Sequence, residues 1–208
     1  MPERRVIPMF PLGTVLFPHA LLPLRVFEPR YRLMTERVLK ADREFGVVLI
    51  ERGSEVGGGD TRVAVGTVAR VVRAQELPDG GYALAAVGIR RLHVTRWLTD
   101  DPYPQAEVDV LADAAAGAGA VEQRANVERL LRRALALKAE LGEPAAAATV
   151  DLDPDPAVAA YQAAAVAPLG PFDRQQLLEQ DGPDERLTLL ASALADEVRV
   201  LAQRASWG

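Results

Sequence analysis

The sequence predicts an α+β chain: a strand-rich first part carrying one helix, followed by a helical second part. Three observations carry that expectation. Val-rich runs flank a Pro-Asp-Gly-Gly turn before residue 112, a stretch of almost pure Ala and Gly covers 112–120, and leucines then recur at three- and four-residue spacing. The expected division is a β-barrel subdomain over 1–112 and an α-helical bundle subdomain over 113–208.

The N-terminal stretch Val6 to Phe27 is apolar but holds Pro8, Pro11, Pro18 and Pro23, with His19 and Arg25 inside it. Four prolines prevent the continuous helix that a secretory signal or a membrane span requires, so the segment reads as mature structure of a cytoplasmic protein with no membrane partner. Pro29 suits a first helical turn, and Tyr31, Met34, Val38 and Leu39 make a helical stripe. Phe45 to Ile50 and Val63 to Val72 read as strands covered on two faces. Leu77-Pro78-Asp79-Gly80-Gly81-Tyr82 reads as a hairpin in which Gly80 and Gly81 take positive φ, with a second arm from Tyr82 to Trp97 and a further strand near Ala106 to Leu111.

Beyond the Ala-Gly stretch, Val127, Leu130, Leu131, Ala134, Leu137 and Leu141 share one helical face, stopped by Gly142 and Pro144. A shorter helix follows Asp155-Pro156 and carries Val158 and Tyr161, and Asp173 is the expected cap of a third segment with Leu177 and Leu178. The last helix carries Leu187, Leu190, Leu194, Val198 and Leu201, with Glu185, Arg186, Asp196, Glu197 and Arg199 expected to face water.

The 208 residues hold no cysteine, which excludes disulfide scaffolds, cysteine-ligated zinc and thiol nucleophiles. Net charge is −5, an unpromising balance for a protein whose main partner is a polyphosphate backbone. The two parts differ: residues 1–112 carry 15 basic and 14 acidic side chains, whereas 113–208 carry 9 and 15, a net of −6.

Catalytic chemistry finds little support. Neither Lys40 nor Lys138 follows a glycine, so no Walker loop exists, and Gly57-Gly58-Gly59 reads as a flexible connection between strands. Ser54, Ser192 and Ser206 lie in no nucleophile elbow, and His19 and His93, the two imidazoles, lack partners at triad or metal spacing. The acidic run Asp151 to Asp155 is similar to the start of a calcium loop, but Pro156 stands where the turn glycine belongs and Gln162 where a bidentate Glu belongs. Helix capping explains it better, and no catalytic residue, metal site or cofactor is assigned. Arg70, Arg73, Arg90, Arg91 and Arg96 fall on two adjacent predicted strands near Tyr82 and Trp97, which admits either an RNA-binding face or a solvated face paired to Glu76, Asp79, Asp100 and Asp101.

Successive segments resemble one family in order along nearly the whole chain. They are Pro8-Met9-Phe10-Pro11-Leu12-Gly13-Thr14-Val15-Leu16-Phe17-Pro18, Leu24-Arg25-Val26-Phe27-Glu28-Pro29-Arg30-Tyr31-Arg32, Phe45-Gly46-Val47-Val48-Leu49, and Val65-Gly66-Thr67-Val68-Ala69-Arg70-Val71. Gly88-Ile89-Arg90-Arg91-Leu92, Pro102 to Val108 and Gln175-Gln176-Leu177-Leu178-Glu179 continue the series. This series resembles the Lon protease N-terminal, substrate-binding domain. The resemblance implies a PUA-like β-barrel with one helix followed by a C-terminal helical bundle, and a role in recognising substrates without catalysing their cleavage.

The expected function is therefore that of a stand-alone, non-catalytic module of bacterial proteolysis or quality control. It would bind peptides or partly unfolded, extended polypeptide segments, with a separate Lon protease as a second partner; RNA binding by the arginine-bearing face is the alternative. The candidate peptide-binding residues are Leu16, Phe17, Pro18, Leu21 and Leu22, acting by strand addition at a barrel edge or as apolar anchors. Phe27, Glu28, Pro29, Arg30, Tyr31, Gly66 and Arg70 are read as structural: Pro29 starts the helix, Arg30 or an arginine on a neighbouring strand pairs with Glu28, and Gly66 permits close backbone approach or strand bending.

Overall fold

The computed structural model describes residues 4–52 and 61–206, so Ser54 and the Gly57–Gly59 run lie outside the described residues. The fold is mixed α+β, and the chain divides into two compact units, Met1–Ala112 and Asp113–Gly208.

The first unit contains β1 (Arg5–Leu12), β2 (Leu21–Val26), α1 (Pro29–Lys40), β3 (Glu44–Arg52), β4 (Thr61–Glu76), β5 (Tyr82–Trp97) and β6 (Gln105–Leu111). The strands form one sheet in the order β2-β5-β4-β3-β1-β6, and β6 also pairs with β5. Among the described residues, only β1 and β3 run parallel.

The prolines shape β1. Its first half, Arg5 to Pro8, pairs with β6, and its second half, Met9 to Leu12, pairs with β3. Pro8 and Pro11 have no amide hydrogen, so neither neighbour can hold an uninterrupted ladder along the whole strand. Alternation along the strand supplies two cores: Ile7 and Met9 enter one with Val48, Val68, Leu92 and Val108. Phe10 and Leu12 enter the other, with Met34 and Val38 of α1 and Phe45, Val47 and Val71 of the sheet.

Residues 13–20 cross the sheet and are held at three points. The Thr67 hydroxyl donates to the Leu16 carbonyl at 2.6 Å, His19 N donates to Gly88 O at 2.8 Å, and Gly88 N donates to Ala20 O at 3.0 Å. Gly88 is required there, because a Cβ would lie 2.2 Å from the Phe17 carbonyl oxygen. Phe17 is consequently sealed at 0% exposure, a burial worth about 2–3 kcal/mol. At the β4–β5 turn only Gly80, with φ of 73°, adopts the left-handed conformation; the expectation of positive φ at Gly81 is corrected.

The second unit contains α2 (Ala120–Glu140), α3 (Pro156–Val166), α4 (Pro171–Glu179) and α5 (Pro183–Ala205). α2 packs against α5, and α3 contacts both. The buried stripe of α2 is Val127, Leu131, Ala134, Leu135 and Leu137, so Leu135 joins the expected set while Leu130 and Leu141 are only half-buried. The small side chains of α3, with Ala159, Ala160, Ala163 and Ala164 all buried, let neighbouring backbones approach closely. Asp155 caps α3 by accepting from Ala157 N at 2.9 Å. Asp173 does not cap α4: Gly170 is the N-cap and Asp173 sits within the first turn.

The largest correction concerns Arg186, which is not turned to water but is fully buried at 0% exposure. Its Nε donates to Leu177 O at 3.0 Å and its Nη2 to Gln180 O at 2.8 Å, satisfying carbonyls at the end of α4. Its Nη1 lies 3.5 Å from Asp113 Oδ2, which also accepts the Tyr161 hydroxyl at 2.6 Å, and the guanidinium stacks 4.0 Å from the Tyr161 ring centre. The Arg186→Met variant of the full chain should lose roughly 3–5 kcal/mol in urea denaturation, because it strands an aspartate and two carbonyls. A loss below about 1 kcal/mol would contradict this role.

Candidate functional site

One side of the first unit's sheet ends in the edge formed by β2. Among the described residues β2 has one ladder partner, β5, so its outer backbone groups lack a neighbouring strand. Its exposed side chains include Leu21, 64% exposed, followed just beyond the strand by Phe27, 59% exposed.

Beside this edge lies a cleft of about 190 Å³ lined by Phe10, Leu12, Pro23, Val26, Phe27 and Tyr31, among others. Its floor is rigid because Tyr31 stacks on Phe10 with ring centres 4.2 Å apart and planes 8° from parallel. The mouth is ordered by Glu28, which accepts from Arg30 Nε at 3.1 Å while the Arg30 guanidinium lies 4.6 Å from the Tyr31 ring centre. Pro29 begins α1, as its sequence position implies, and Glu28 occupies the N-cap position without a side-chain capping bond. The turn after β4 braces the strand: Asp79 accepts from Gly81 N at 2.9 Å and from Arg25 at 3.1 Å. The Gly81 backbone bond and then the Arg25 guanidinium hold the Asp79 carboxyl below its ordinary pKa.

The five residues expected to contact peptide are not equivalent. Leu16, Phe17, Pro18 and Leu22 are buried, and only Leu21 is exposed. Leu16, Phe17, Pro18 and Leu22, expected as apolar contacts for a peptide, are instead occupied by the protein's own packing: the hydrogen bonds to Thr67 and Gly88 fold residues 13–20 onto the sheet. Phe27, expected to be structural, is instead exposed beside the cleft. Proline-containing strands hide their ladders from sequence reading, and the exposed Phe27 just beyond β2 was detectable only as the second of two apolar residues between Arg25 and Glu28.

The arginines on β4 and β5 divide between the two faces of the sheet. Glu44, 3% exposed, receives Arg5 at 2.6 Å, Arg70 at 2.6 Å and Arg90 at 3.2 Å. Arg91 is buried and reaches the Ala112 carbonyl, and Arg96 pairs with Glu107. Arg73 is exposed. Gly66 stands where a Cβ would come within 2.2 Å of the Val47 carbonyl oxygen, so close strand approach accounts for it.

Burial alone would raise the Glu44 pKa, but hydrogen bonds from Arg5 and Arg70 and the charges of Arg5 and Arg90 outweigh it and hold the carboxyl below 4.5. Because the folded value is the lower one, the stabilisation is complete above the unfolded pKa and is lost as pH falls through the folded value. Glu44→Gln should cost roughly 2–4 kcal/mol at pH 7. It should also flatten the dependence of stability on pH below about 4.5. Denaturant midpoints measured from pH 3 to 7 test both; parallel profiles for the two proteins would refute the assignment.

Comparison with known proteins adds to this geometry. Residues 6–196 match the family described as the ATP-dependent protease La (LON) substrate-binding domain. The chain is 31% identical over 199 residues to Lon protease 2 of Herpetosiphon aurantiacus, covering 94% of this chain and 24% of that protein. It is 29% identical over 202 residues to a Lon protease of Cytophaga hutchinsonii, covering 94% and 25%. The chain thus spans about a quarter of the length of these curated relatives. Among solved structures, the Lon N-terminal domain protein from Xanthomonas campestris matches with a TM-score of 0.68 and 27% identity, over 90% of this chain and 98% of that one. The N-terminal domain of the Mycobacterium avium complex Lon protease shares the fold, with a TM-score of 0.69 at 19% identity over 92% and 99%.

Proposed function

The chain belongs to the LON substrate-binding domain family, and from that premise we propose that it is a non-catalytic recognition module that captures extended, partly unfolded polypeptide by strand addition along β2. The single observation that carries this reading is the unpaired β2 edge, flanked by exposed Leu21 and Phe27 and by the cleft floored with Phe10 and Tyr31. An incoming strand would obtain main-chain hydrogen bonds from the edge and seat an apolar side chain in the cleft. Leu21 and Phe27 are the contact residues. Leu16, Phe17, Pro18 and Leu22 hold the edge from within.

The continuous run of ladders from β5 through β4, β3, β1 and β6 back to β5 supports a closed PUA-like barrel over 1–112, and the mutual packing of α2, α3, α4 and α5 supports a helical bundle over 113–208. Cooperation with a Lon protease as an adaptor in the cytoplasm is the physiological setting that fits. Among the described residues, no helix is long and apolar enough to cross a membrane. The RNA-binding alternative gains little from these arginines, since Glu44 engages Arg70 and Arg90, Glu107 engages Arg96, and Arg91 is buried.

Fluorescence anisotropy with a labelled, unstructured apolar peptide tests strand addition. Saturable binding is expected, weakened about tenfold by Leu21→Asp or Phe27→Asp. Binding should also be lost when alternate peptide amides are N-methylated, which removes ladder donors without removing side chains. Binding that survives N-methylation and both substitutions would overturn the reading.

A further inference from the structure

The helical unit has a second surface whose chemistry is unlike that of the β2 edge. Two adjoining clefts, of about 680 and 340 Å³, share Gln176, Leu189 and Ser192 and so form one groove along α4 and α5. Leu169, Leu177, Leu189, Ala193 and Val200 supply its apolar lining, and Val200 is half-exposed. From Asp184 to Val200 the groove follows α5 for about 24 Å at 1.5 Å per residue.

Its rims carry one sign of charge. Asp173, Glu179, Asp184, Glu185, Asp196 and Glu197 all line it, and among the described residues no Lys or Arg does. This is not the average composition of the two helices, which also hold Arg174, Arg186, Arg199 and Arg204. Those cations are directed elsewhere. Arg186 is buried on the carbonyls of Leu177 and Gln180, Arg174 donates to the Ala164 and Ala165 carbonyls at the end of α3, and Arg204 pairs with Glu143. Only Arg199 meets a rim carboxylate, Asp196, at 2.6 Å in an exposed pair of small energetic consequence.

We propose that the α4–α5 groove is a docking surface for a basic amphipathic segment of a protein partner. Apolar side chains of that segment would lie on Leu169, Leu189 and Val200, above the buried Leu177, and its Lys or Arg side chains would meet the carboxylates on the two rims. A segment of about 16 residues, about 24 Å long as a helix, spans the groove. Charge complementarity selects such a partner over an acidic or purely apolar one, because an acidic segment would face like charges along both rims.

The test uses the full chain and a fluorescent amphipathic Leu-Lys peptide of that length, compared with its Leu-Glu counterpart. The Leu-Lys peptide should bind saturably and the Leu-Glu peptide should not. Ser192→Trp, which places bulk on an exposed position between the rims, should weaken binding by about tenfold, as should Glu185→Gln with Glu197→Gln. The equal-charge control Glu122→Gln with Glu140→Gln, on α2, should change it less than about threefold, with helicity of every variant confirmed by circular dichroism. Equal weakening by the two double variants would reduce the effect to general attraction by an acidic protein and overturn the proposal. So would unaltered binding by Ser192→Trp, or no binding at all.

Discussion

A desolvated charge must be answered on every side, and each unit of this protein is organised around one such charge. Glu44 lies at the start of β3 and draws Arg5 from β1, Arg70 from β4 and Arg90 from β5, so one carboxylate fixes four strands. Leaving it unpaired would cost far more than the pair contributes over an apolar substitute. The cluster therefore acts chiefly on register: a one-residue slip of β4 or β5 would carry Arg70 or Arg90 to the opposite face and strand the carboxylate. Arg186 imposes the same constraint on the helices. It accounts for carbonyls left open at the end of α4 and for Asp113, and it locks Tyr161 of α3 in the same network.

Periodicity made much of this legible. The helices at Pro29 and Pro183 and the long second hairpin arm follow from turn chemistry and residue spacing, because each signal is local. Arg186 escaped because charged residues on helices usually face water. Its position nevertheless contained the signal: Arg186 is four residues before Leu190 and three after the buried Pro183, on the apolar stripe itself. β1 and β2 were harder, since Pro8, Pro11 and Pro23 argue against central strands, and the structure uses them where ladders change partner or lie at an edge. The candidate residues Leu16, Phe17, Pro18 and Leu22 show a different limit. Apolar composition identifies residues that seek burial, but only the non-local bonds to Thr67 and Gly88 determine that the protein's own core provides it.

The inward commitment of cations also shapes the surfaces that remain. In the first unit, Glu44 and Glu107 absorb arginines that a sequence reading could assign to a nucleic-acid face, so positive charge there does not become a field available to phosphates. In the second, Arg174 and Arg186 donate to helix carbonyls, so of the four arginines of α4 and α5 one, Arg199, meets a rim carboxylate, Asp196. The net charge of −6 over 113–208 is thus directional. Since exposed charges are screened beyond about 8 Å at physiological salt, carboxylates on these rims can speed and orient an encounter but hold it only weakly. Retention must come from the apolar lining between them. A partner that lacked either its basic residues or its apolar stripe would engage only half of the groove, and this double requirement is what makes the surface selective.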